Sequence, residues 1–199
     1  PDTTRIYYLR VIPDHGFHYS LELASESSQP EAVTMQASAF WLTCGLVTAL
    51  ALLHLILFGV IRSLAHGAYA LFFILLTLVV MSYSGLLGPP AWLPQGSHAQ
   101  WSAFLILLGL AANIGVSYTY LQVPVHLPRF GRALRIAMIA LVVTAPVVLL
   151  GLPSVSALAL SHGTAAVVAL ALFWLGILAW QKKTAGAGLF VLARAGLTL

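Results

Sequence analysis

The sequence predicts an all-α integral membrane bundle preceded by a β-hairpin, and three observations carry that prediction. Hydrophobic residues make up 60% of the chain and charged residues only 7%, proportions from which a water-soluble surface cannot be built. All five acids (Asp2, Asp14, Glu22, Glu26 and Glu31) precede residue 32, and the fixed charges after it are seven bases: Arg62, Arg129, Arg132, Arg135, Lys182, Lys183 and Arg194. From residue 37 onward, uncharged apolar stretches recur near the ~20 residues that cross a bilayer.

The first element is the hairpin. In "FHYSLEL", Phe17, Tyr19, Leu21 and Leu23 alternate with His18, Ser20 and Glu22, the period of a half-buried strand. The run "RIYYLRVI" before it is rich in β-branched and aromatic residues, and "PDHG" between them has the composition of a tight turn. Two strands are marginal alone, so residues 1–28 read as the end of a larger β domain. Residues 29–36 read as a linker.

Five complete spans follow, at 37–61, 67–87, 101–123, 136–152 and 154–180, and an incomplete sixth occupies 186–199. Helices satisfy their own backbone in lipid, and no stretch shows the alternation of a barrel strand. Pro146 is expected to kink the fourth span. The chain opens at Pro1 without a signal-peptide pattern and stops inside an apolar stretch, so it reads as an internal fragment.

Loop charges give the orientation. Arg62 lies in the first loop, Arg129, Arg132 and Arg135 in the third, and Lys182 and Lys183 in the fifth, while the second and fourth carry no fixed charge. Odd loops are therefore expected in the cytoplasm and the N-terminus outside. Trp41, Trp92 and Trp101 then anchor the outer interface, and Tyr69, Tyr118, Tyr120 and Trp180 the inner one. The stretch "LPRFGRALR" is accordingly read as a topology signal rather than a nucleic-acid site, its arginines touching anionic headgroups for about 1 kcal/mol each.

Chemistry-bearing residues are few. His54 and His162 are intramembrane histidines, but roughly 10–15 Å of rise separates them, so they are expected to pack in the bundle rather than share haem or metal. His15 and His18 lack further obvious ligands and alternate to opposite strand faces, which argues against a metal site. Asn113 and Ser117, one turn apart, are candidates for a polar bundle interior or for gluing helices together. The complete spans hold no carboxylate, which disfavours a proton pump or a retinal protein. Cys44 has no disulfide partner and no activating neighbour, so it reads as inert packing. Small pairs at spacing four (Gly45 and Ala49, Ala111 and Gly115, Ala165 and Ala169) are candidate contacts for a homodimer. No catalytic residue, cofactor or metal is expected in this stretch.

The order of features resembles the bacterial seven-transmembrane receptors with diverse intracellular signalling modules. "YYLRV" and "SLELAS" resemble the closing strands of that family's extracellular jelly-roll β-sandwich. "GLVTALALLHLILFGVIRSLAHGAYALFF" resembles its first two helices, with Tyr69 at an aromatic position. "SGLLGPPAWLP" resembles its outer loop with Gly85 and Trp92, "LPRFGRALR" its inner loop, and "KKTAGAGLFVLARAG" the start of its sixth helix. His54 departs from the family pattern, where a smaller polar residue such as Asn is expected, and the first inner loop is poorer in charge.

The resemblance implies a multi-pass protein of the bacterial inner membrane. Its outer domain would detect a small molecule, carbohydrate being one class. The bundle would relay the state to a cytoplasmic histidine kinase, diguanylate cyclase or phosphatase in cis, and any enzymatic activity would reside there. A transporter or channel subunit and an intramembrane enzyme are the alternatives. The first predicts further repeat-like spans, and the second predicts clustered His, Asp or Glu in them.

Overall fold

The computed structural model describes residues 29–84, 86–93, 97–184 and 186–198. The predicted hairpin, with His15 and His18, lies outside them. Among the described residues the chain is all helical: α1 (Gln29–Ile61), α2 (Leu64–Tyr83), α3 (His98–Tyr120), α4 (Val123–His126), α5 (Pro128–Gly151), α6 (Ser154–Gln181) and α7 (Ala187–Thr198). Five of these are long and apolar enough to cross a membrane: Ser38–Ile61 within α1, then α2, α3, α5 and α6.

Several boundaries differ from the expected ones for local reasons. Helix α1 takes in residues 29–36, expected to be a linker, because Pro30 sits where a first helical turn tolerates proline and good helix formers follow it. At 33 residues α1 is about 50 Å long, against about 30 Å of hydrocarbon. Helix α3 stops at Tyr120 because Gln122 turns left-handed, φ 47°. The residues after it form the short α4, which sequence periodicity is too brief to reveal. Helix α5 starts at Pro128 instead of Ile136, proline being permitted at the first helical position. The helix runs on through Pro146 without a break in its α-helical course.

Helix α3 is the hub. It packs against α2, α5 and α6, while α1 lies against α2 and α7 against α6. It is also the least apolar of the five spans, and ten of its 23 residues are buried. Lipid tails are as apolar as leucine, so helices in a bilayer associate through close packing and polar contacts. Accordingly Ala103, Ala111, Ala112 and Ser117 of α3 are buried, whereas Leu42, Leu46, Leu52 and Ile56 of α1 face outward. Cys44 and Ala51 of α1 are buried. A buried hydroxyl pair, Ser82 Oγ to Ser102 Oγ at 2.9 Å, joins α2 to α3.

Candidate functional site

Helices α1, α3 and α6 end on one face of the bundle, where α2 and α5 begin. Each of those three ends is closed by a non-glycine residue in the left-handed region: Arg62 (φ 54°), Gln122 (φ 47°) and Lys183 (φ 55°). The end of α6 is a Schellman turn, with Thr184 N–H donating to Ala179 C=O at 3.0 Å and Lys183 N–H to Trp180 C=O at 2.8 Å. Arg62, Lys182 and Lys183 thus stand at helix C-termini, where the helix dipole favours cations. Lys182 Nζ also donates to the His126 carbonyl of α4 at 3.3 Å.

The three arginines of "LPRFGRALR" occupy the opening turns of α5 on the same face rather than an irregular loop. All six basic residues of this face (Arg62, Arg129, Arg132, Arg135, Lys182 and Lys183) are exposed. Arg135 is the best-positioned arginine. Its guanidinium donates to Tyr118 Oη at 2.8 Å and lies 5.9 Å from the Tyr118 ring centre.

Beneath the basic face runs a chain of rings through four helices. His54 of α1 meets His66 of α2, Nδ1 to Nδ1 at 3.2 Å, and stacks on Tyr69 and Phe73 with ring centres 4.8 and 5.7 Å away. Tyr69 meets Tyr120 of α3 edge-on at 6.4 Å, and Tyr120 stacks on Phe190 of α7 at 6.2 Å. Two glycines make room at the far end. A Cβ on Gly186, φ 77°, would lie 2.6 Å from Tyr120 Oη, and one on Gly176 of α6 would lie 2.8 Å from the Phe190 ring. Sequence reasoning singled out His54, Tyr69 and Tyr120 one by one but did not pair them, because ring pairs between helices have no signature within one helix.

At the opposite face His162 is exposed on this chain, with Nε2 3.0 Å from Tyr83 Oη and Nδ1 2.8 Å from the Leu158 carbonyl. His54 and His162 are not brought together. Their partners His66 and Tyr83 stand near opposite ends of α2, about 25 Å apart along its axis. Ser117 is fully buried and donates to its own helix at the Asn113 carbonyl, 2.9 Å, while Asn113 is half-buried. No group of three or more His, Cys, Asp or Glu side chains comes together among the described residues.

Five spans with α3 at their centre, each basic loop facing the same way, are a membrane module whose polar residues link helices. The sequence model of the 7TM diverse intracellular signalling family matches residues 36–199. The chain belongs to this family. No curated protein and no solved structure matches it. The match covers the described bundle from residue 36 onward, and the start of α1 and the expected jelly-roll strands in 1–28 fall outside it. Membership makes the chain a multi-pass membrane protein and a transmembrane sensor module of the 7TM diverse intracellular signalling family. The ring chain from His54 to Phe190 is one series of contacts within it that joins the first membrane helix to the last described one.

Proposed function

We propose that this module relays an extracellular signal to a cytoplasmic output domain in cis, a histidine kinase, diguanylate cyclase or phosphatase. Residues 1–28 close an outer jelly-roll domain that takes a small-molecule ligand, and 37–199 form the bundle, in a bacterial inner membrane. The observation that carries the relay is the continuous contact path His54–Tyr69–Tyr120–Phe190 across α1, α2, α3 and α7. Helix α1 supports it, because its length beyond the hydrocarbon core couples residues near 29 rigidly to His54. Two copies pair through small residues such as Gly45, beside which the chain leaves open space.

The alternation of basic and uncharged loops supports an outer N-terminus. In a Cys44→Ala background, a membrane-impermeant thiol reagent added to intact cells is expected to label Ala91→Cys. Thr184→Cys is expected to react only after permeabilisation. The reverse pattern sinks the orientation and with it the direction of the relay.

A further inference from the structure

Helices α2 and α5 flank α3 without closing over it, leaving a groove of about 480 Å³ that opens to the lipid side. Its wall contains no polar side chain: Ala68 and Leu75 of α2, Ala112 and Gly115 of α3, and Val142 of α5 are representative. The floor is wide because α3 carries small residues there. A Cβ on Gly115 would still lie 3.7 Å from the nearest atom, Met138 Sδ.

The groove runs toward the basic face and changes character there. Met138 also lines a small hollow with Tyr118 and Arg135. Tyr118 in turn lines a wider mouth of about 450 Å³ with Ser63, Thr119 and Gln122. The three spaces share Met138 and Tyr118 and form a seam, with Arg135 at the hollow between the apolar shaft and a mouth that mixes hydroxyl, amide and apolar side chains. Arg135 offers five N–H donors, one of which goes to Tyr118 Oη. No acid occurs anywhere in residues 32–199, so nothing in that stretch neutralises it. The five acids precede or open α1, whose other end is the one at Arg62 on the basic face. The counter-charge has to come from outside this part of the chain.

We propose that the seam is a binding site for one anionic phospholipid, its acyl chain in the α2–α3–α5 groove and its phosphate at Arg135. An apolar shaft excludes a free anion, and a zwitterionic lipid brings its own cation beside the phosphate and so leaves the positive charge of the face uncompensated. Basic pockets between membrane helices are where such headgroups are held.

The test uses the full-length protein in neutral detergent micelles, with native mass spectrometry counting retained lipid. Equimolar phosphatidylglycerol and phosphatidylcholine of identical acyl chains are offered together, and inorganic phosphate alone in a separate arm. The expected result is one phosphatidylglycerol per chain, retained in preference to phosphatidylcholine, and no retained phosphate. Arg135→Gln, on an exposed side chain, is expected to lower phosphatidylglycerol retention about five-fold and leave phosphatidylcholine unchanged. Gly115→Leu fills the shaft and is expected to lower retention of both lipids, whereas Gly115→Ala, which fits, is expected to keep them. Equal retention of the two lipids by the wild type overturns the proposal, as does an unaltered preference in Arg135→Gln. Cross-linking of Val142→Cys between two copies with no lipid retained would assign the groove to a second chain instead.

Discussion

The Nδ1 atoms of His54 and His66 lie 3.2 Å apart, across the hairpin of α1 and α2. A hydrogen bond between two imidazole nitrogens needs one N–H and one lone pair, so at least one of the rings is neutral. Helix α1 packs on the bundle through α2, which makes this pair one of the few polar contacts holding it.

His54→Phe keeps the stack on Tyr69 and Phe73 and loses the hydrogen bond. The expected loss is about 0.5–1.5 kcal/mol, the range of polar contacts between membrane helices, read as a lower unfolding midpoint in mixed micelles. An unchanged midpoint in His54→Phe would count against the pair.

Gly186 is required twice, for its positive φ and for its approach to Tyr120 Oη. Gly186→Ala is expected to destabilise by roughly 1–2 kcal/mol from the backbone alone, with a further loss from the clash. Tyr120→Phe removes the obstructing oxygen while keeping the ring on Phe190. In a double-mutant cycle the second change should therefore recover part of the loss, a coupling of about 0.5 kcal/mol or more. Strict additivity would show that the two residues do not meet.

Ser82 and Ser102 test the seam between α2 and α3. Ser82→Ala leaves the buried Ser102 hydroxyl without its partner and should cost about 1 kcal/mol. Replacing both by alanine removes donor and acceptor together and should come closer to wild type than either single change. Thermal melts of the four proteins in one detergent decide it.

Gln122 holds a left-handed backbone with a side chain that disfavours it. Gln122→Gly is expected to stabilise the α3–α4 turn by up to about 1 kcal/mol, the relieved strain being partly offset by glycine's freedom when unfolded. A higher melting temperature with unchanged helix content is the result to look for. A lower one would mean that the Gln122 side chain contributes more than the backbone strain it carries.

Hydropathy and charge were enough to read the membrane bundle and the number of complete spans. These properties follow from transfer of the chain between water and lipid, which each segment undergoes largely by itself. The family was legible for the same reason, since its features are ordered along the chain. Helix ends were less so. The early start of α5 at Pro128 and the stop of α3 before Gln122 depend on single backbone dihedrals that several residue types can adopt.

Only the tertiary structure decided that α3 is the hub, that His54 pairs with His66 rather than His162, and that Tyr69, Tyr120 and Phe190 form one path. The physical reason lies in the solvent. In water an amphipathic stripe tells which side of a helix faces inward. In lipid an outward leucine and an inward leucine are equally content, so the partner of each face is chosen by shape, by small residues such as Ala111 and Gly176, and by scattered hydroxyl and ring contacts. Those choices exist only between helices, and no single stretch of sequence records them.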